Sequence, residues 1–220
     1  MTDLNDRRRG PAAGEATQAV VFLHGYGADG ADLIGLAEPL APHLPGTAFR
    51  APDAPDPCRA APMGRQWFPI PWLDGASEAE MGTSFARSTE ELDRFLDGVL
   101  ADEGLTADRL VLFGFSQGTM MSLHVAPRRA EPVAGVVAFS GRLLVPERLA
   151  AEMVSTPPVC LIHGDADEVV PFADMGQAAG ALQDAGFTVA GHVMRGTGHG
   201  IAPDGLSVAL GFIRSCLKLD

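Results

Sequence analysis

Residues 110–118 read LVLFGFSQG, four apolar residues running into G-F-S-Q-G. An apolar run without alternation is how a strand buried on both faces reads. The G-x-S-x-G that ends it lies just before a helix-length segment beginning at Gln117. That is the strand–turn–helix setting of a nucleophile elbow. The glycines two before and two after the serine let the backbone pass closely while the serine takes a strained turn. Such a turn lifts the Oγ of Ser116 clear of the sheet. The helix start behind it offers free backbone N–H groups and the positive end of a dipole. The bland alternative is a tight strand-to-helix turn carrying an idle serine, and the placement of the motif favours the nucleophile.

Outward from this stretch, strand-length apolar runs recur at 19–23, 47–50, 109–113, 133–139, 159–163 and 188–194. Helix-length segments alternate with them at 31–42, 83–100, 117–126, 172–185 and 205–219. Strand alternating with helix predicts an α/β fold, a mostly parallel central sheet with helices on both faces. Residues 51–75, APDAPDPCRAAPMGRQWFPIPWLDG, break the rhythm with a run of prolines and both tryptophans. A long loop inside a compact domain is functional or disordered, and its bulky apolar side chains argue against disorder. The loop is either stapled to the surface by its own aromatics or forms one wall of a pocket. On the second reading Trp67, Phe68 and Trp72 contact substrate.

The 220 residues suit one large domain. Residues 1–16 read as a flexible polar tail, and 17–220 as a single domain. A formal net charge of −12 repels phosphates and anionic lipid, so nucleic acid is not expected as a partner. No apolar stretch reaches the length of a membrane helix, so stable membrane insertion is not expected. The start has no apolar run behind its three arginines and does not read as a signal peptide. The expected location is cytoplasmic. Cys58, Cys160 and Cys216 are far apart and form no C-x-x-C, which argues against a disulfide framework and a zinc site. No metal and no other cofactor is expected. A homodimer is left open.

If Ser116 is the nucleophile of an α/β-hydrolase fold, an acid and then a histidine should follow it in the chain. His192 lies within the strand-like FTVAGHVM, whereas His199 lies in RGTGHGIAPDG, a glycine-rich loop between the last strand and the last helix. Loops at strand ends are where a base can reach the serine, which favours His199. The acid should come from HGDADEVVP, where Asp165, Asp167 and Glu168 compete. Spacing does not separate Asp165 from Asp167; the other carboxylate would serve the turn.

A competing motif lies upstream. Residues 20–33, VVFLHGYGADGADL, contain a literal G-x-G-x-x-G after a strand-like run, with Asp53 near the end of the next such run. Taken alone, this is the dinucleotide-binding fingerprint. A pyrophosphate cradle disfavours nearby anions, and Asp29 and Asp32 would sit beside it. In a hydrolase the same HGYG turn would present one amide to a developing oxyanion, and the third glycine, Gly30, would be incidental.

The motifs LHGYGAD, PDAP, RQWF, GFSQG, GDADEVVP and GHGI occur in the order and spacing of the phospholipase/carboxylesterase family. The chain resembles these serine α/β-hydrolases, which include the acyl-protein thioesterases, over about residues 18–218. The resemblance implies Asp167 as the acid and His199 as the base. It also implies the backbone N–H groups of Tyr26 and Gln117 as the oxyanion hole. Many members carry Leu where this chain has Tyr26. Arg142 is a second departure, in a loop that often carries an apolar or aromatic residue. The implied activity is carboxylic ester hydrolysis through an acyl-enzyme on a small-molecule ester with a short- to medium-chain acyl group. A long-chain acyl thioesterase or lysophospholipase is the rival enzyme, and a hydrolase-fold small-molecule binder is the rival without catalysis.

Overall fold

The computed structural model describes residues 4–219. Its strands are β1 (Asp6–Arg9), β2 (Gln18–Leu23), β3 (Thr47–Pro52), β4 (Asp56–Pro57), β5 (Arg65–Gln66), β6 (Leu110–Phe115), β7 (Gly135–Phe139), β8 (Val159–Gly164) and β9 (Val189–Met194). Its helices are α1 (Gly30–Ile34), α2 (Ala37–Leu40), α3 (Pro71–Asp74), α4 (Glu78–Glu103), α5 (Gln117–Val125), α6 (Pro146–Glu152), α7 (Ala173–Asp184) and α8 (Pro203–Leu217). Seven strands form one sheet in the order β1-β3-β2-β6-β7-β8-β9, and β4 and β5 make a separate ribbon. β1 runs antiparallel to β3, and every other pairing in the large sheet is parallel.

Alternation along the strands splits the core into two layers. Val21, Leu23, Leu110 and Leu112 face one side, where Leu92, Phe95 and Leu96 of α4 and Leu182 of α7 cover them. Val20, Phe22, Val111 and Phe113 face the other side, under Leu33 of α1 and Ile213 of α8. β2 and β6 are therefore apolar at every central position because both of their faces are buried. Among the described residues no helix is long and apolar enough to cross a membrane.

Residues 1–3 of the expected flexible tail lie outside the described residues, and within the described part residues 6–9 form the antiparallel edge strand β1. Its charges have partners that the sequence could not show. Arg7 meets Asp53 at 2.5 Å, Arg8 meets Glu103 at 2.7 Å, and Asp6 meets Arg50 at 2.5 Å. The expected helix over 31–42 is two short helices and a 3₁₀ turn. α4 runs longer than expected, starting at a capping box in which Ser77 and Glu80 bond reciprocally.

The register decides where loops meet. Leu23 lies opposite Gly114, which sets the loop after β2 beside the turn after β6. Gly164 lies opposite Met194, which sets the loop after β8 beside the loop after β9. All four loops leave the carboxyl ends of parallel strands, where open α/β sheets bind their ligands.

Candidate active site

Ser116 joins β6 to α5 with φ 53° and ψ −115°, a conformation that costs free energy for any residue with a Cβ. Its N–H donates to the Phe139 carbonyl at 2.9 Å, which anchors the turn to β7. Gly118 explains the second glycine of the motif. A Cβ there would lie 1.9 Å from the Leu23 carbonyl oxygen, so only glycine lets α5 start this close to the end of β2.

His199 Nε2 lies 3.0 Å from Ser116 Oγ, and His199 Nδ1 lies 2.8 Å from Asp167 Oδ2. The structure thus brings Ser116, His199 and Asp167 into one line of contacts. Two packed loops make this meeting. A Cβ on Gly164 would lie 2.2 Å from the Thr197 carbonyl oxygen, and the Ala166 N–H donates to that same carbonyl at 3.1 Å. Burial by itself pushes the Asp167 carboxyl up. Hydrogen bonds from His199 and from the Val170 and Val169 N–H groups outweigh it and hold the carboxyl below its usual range.

Asp165 is oriented otherwise. It accepts from the Gly196 N–H at 2.6 Å and lies 3.7 Å from Arg195, so it serves the turn. His192 is at the sheet edge, paired with Asp204 at 2.8 Å. His163 was not singled out by the sequence reading. It is buried, 3.2 Å from Asp167 Oδ2 and 3.0 Å from the Val170 carbonyl oxygen. Its position in HGDAD, four residues before Asp167, was the available signal.

A cavity of about 1070 Å³ opens over Ser116 and His199. Phe68 and Trp72 line it, but Trp67 does not. Trp67 is fully buried because its polar groups are taken up inside: its indole N–H donates to the His24 carbonyl at 3.0 Å and its backbone N–H to Gln117 Oε1 at 2.8 Å. Tyr26 borders the cavity, and its phenol donates to Asp74 at 2.9 Å. Burial, then the Cys58 thiol and Asp74, push the phenol's pKa up. Arg142 also lines the cavity, 3.0 Å from Asp174.

The glycine-rich turn after β2 is occupied by the chain itself. Asp53 accepts from the Gly30 N–H at 2.9 Å, from Asn5 at 2.7 Å and from Arg7 at 2.5 Å. Gly30 is not incidental, since a Cβ there would lie 2.2 Å from the Ala51 carbonyl oxygen. Gly30 thus packs the loop onto β3, while Gly25 packs against Ser116 and Gly27 against Ala61.

The mostly parallel sheet, helices on both faces and a serine elbow at the carboxyl edge define an α/β hydrolase. The chain belongs to the phospholipase/carboxylesterase family, whose model matches residues 10–217, and it is a hydrolase acting on ester bonds. It is 28% identical to acyl-protein thioesterase 1 of Gibberella zeae, covering 94% of each chain. It is 30% identical to a probable carboxylesterase of Oryza sativa, covering 94% of this chain and 80% of that one. The crystal structure of esterase PE8 superposes with a TM-score of 0.91 at 41% identity, covering 97% of this chain and 99% of that one.

Proposed function

We propose that this protein is a serine carboxylesterase that cleaves esters of short- to medium-chain acids through an acyl-enzyme. The observation that carries the reading is the line Ser116 Oγ, His199, Asp167, of which Ser116 and His199 line the cavity. Ser116 Oγ attacks the ester carbonyl carbon while His199 Nε2 takes its proton. The tetrahedral intermediate collapses, the ester C–O bond breaks, and His199 returns the proton to the leaving alcohol. Water then attacks the acyl-enzyme by the same route and releases the acid. Asp167 holds His199 with Nδ1 protonated and stabilises the imidazolium. The N–H groups of Tyr26 and Gln117 hold the oxyanion, and one such donor is worth about 3 kcal/mol in the transition state. No step uses a metal, so EDTA is expected to leave the rate unchanged.

The residues that line the cavity support the acyl preference. Ser116, Met120, His124 and Arg128 all line the cavity: Met120 and His124 share one face of α5, Ser116 precedes the helix and Arg128 ends the 3₁₀ turn that follows it. His124 lies about 12 Å along the axis from Ser116 at about 1.5 Å per residue. Met120, Phe68, Phe85 and Leu144 make that stretch apolar. Beyond it Arg128 pairs with Glu152 at 2.5 Å, and Arg148 pairs with the same carboxylate. A medium chain fits the apolar stretch, and a longer one reaches the ion pairs.

The long-chain rival has one observation in its favour. The mouth is rimmed by exposed Trp72, Leu73 and Val169, an apolar border that suits a lipid-like substrate. Rates on p-nitrophenyl esters from acetate to palmitate separate the two. A maximum at medium length with a steep fall toward palmitate is expected, and a flat or rising profile favours the thioesterase reading. A fluorophosphonate should label wild type at Ser116 and leave Ser116→Ala unlabelled and inactive. Binding of the esters without turnover by wild type would leave only the small-molecule binder.

A further inference from the structure

His24 follows the last residue of β2 and is fully buried, yet the chemistry above gives it no part. Its Nε2 lies 2.9 Å from the Ala54 N–H, a backbone donor that no tautomer can turn into an acceptor. Nε2 must therefore be the unprotonated nitrogen, and the proton sits on Nδ1. Nδ1 lies 2.8 Å from the Gly25 carbonyl oxygen and donates to it, the shorter of the two bonds this oxygen accepts, the other coming from the Ala28 N–H at 3.3 Å. Burial lowers the pKa of the ring, which keeps this neutral form in place.

The Gly25 carbonyl and the Tyr26 N–H belong to one planar peptide unit and point in opposite directions across it. Whatever fixes the carbonyl also aims the N–H. That unit lies directly against the nucleophile, because a Cβ on Gly25 would be 3.2 Å from Ser116 Cβ. Among the described residues, the Tyr26 N–H has no acceptor. The His24 carbonyl is held in turn by the Trp67 indole N–H, 3.0 Å away.

We propose that His24 is a positioning residue for ester hydrolysis: as the Nδ1–H tautomer bridging Ala54 and Gly25, it sets the Gly25–Tyr26 peptide plane and aims the Tyr26 N–H at the oxyanion. The proposal rests on Tyr26 being an oxyanion donor. Trp67 extends the same framework to the other donor segment. Its backbone N–H meets Gln117 Oε1 at 2.8 Å, and Gln117 Nε2 donates to the Phe68 carbonyl at 2.7 Å. The aromatic segment 67–68 thus braces both loops that supply oxyanion donors, which gives buried Trp67 a place beside the site without substrate contact.

Two variants of the full chain separate the two ring nitrogens. Asn at 24 can place an amide N–H where Nδ1 stands, keeping the donor to Gly25 and losing the acceptor for Ala54. Gln at 24 can place its amide oxygen near Nε2, keeping the acceptor and losing the donor. His24→Gln is expected to lose about tenfold or more in kcat with KM little changed, the pattern of a misaimed oxyanion donor. His24→Asn should keep kcat within about threefold of wild type even where its melting temperature falls. The inhibition constant of a trifluoromethyl ketone, which forms a tetrahedral oxyanion on the serine, should rise in step with the loss in His24→Gln. Equal kcat losses in the two variants, or a loss in His24→Gln with unchanged ketone affinity, would overturn the proposal. If either variant fails to fold, nitrogen NMR of the wild-type ring decides. A protonated Nδ1 and bare Nε2 are expected, and the opposite tautomer overturns the proposal. Fluorophosphonate labelling of wild type keeps the two readings apart. Absent labelling at Ser116 removes the esterase reading itself, while labelling with unaffected His24 variants removes only the role of His24.

Discussion

At the scale of single residues, function is set by close approaches that allow almost no substitution. Gly118→Ala places a methyl 1.9 Å from the Leu23 carbonyl oxygen, with no flexible side chain to give way. It is expected to destabilise the protein by about 3 kcal/mol or more, read as a shift in the urea midpoint. Tyr26 separates side chain from backbone. Tyr26→Phe loses the bond to Asp74, which itself accepts from the Ile70 and Ala76 N–H groups, so the wall loosens and KM rises modestly. Tyr26→Pro deletes the N–H and is expected to cost about two to three decades in kcat, provided circular dichroism and melting show an intact fold. The choice between Asp165 and Asp167 also belongs here. Asp165 lies in the turn after β8 and Asp167 just past it, and only the fold directs Asp167 toward His199 and Asp165 toward Gly196.

Elements carry the cavity. The first half of α4 lines it with Met81, Phe85 and Thr89, and that half begins at the Ser77–Glu80 capping box. Ser77→Ala should cost about 1 kcal/mol of stability. Because the frayed turn borders substrate, KM should rise while kcat holds, which steady-state kinetics would detect. The runs that became β2, β6, β7 and β8 were legible because strands buried on both faces leave apolar stretches, whereas the run that became the edge strand β9 is mostly exposed. β1 was not, since an edge strand reading Asp-Arg-Arg-Arg has no apolar signature and depends on Arg50, Asp53 and Glu103 from distant segments. α6 escaped as well; it is short, and Leu149 is its one buried residue.

At the scale of the whole molecule, buried titratable groups set the response to acid. His24 and His124 both have pKa values pushed down by burial, His124 to about 4. For such a group the unfolded chain binds the proton first. Stability is thus full above the ordinary histidine value of about 6.5 and falls as pH drops toward the folded value. His124 Nδ1 is buried with no partner. His124→Leu should therefore flatten the decline of the urea midpoint between about pH 6.5 and 4. A slope as steep as wild type would count against this account. Asp53, Asp167 and Glu103, held below their usual range, lose their contribution at still lower pH. What the sequence by itself determined was the alternating α/β order, the serine elbow and the candidate residues Ser116 and His199, because apolar runs and G-x-S-x-G are local patterns of a few residues. Only the tertiary structure decided which nitrogen of His24 carries the proton, that Trp67 is core while Phe68 and Trp72 face the cavity, and that the arginine-rich start forms a strand. Each of these depends on a partner many residues away, whose position is set by strand register and not by sequence neighbours.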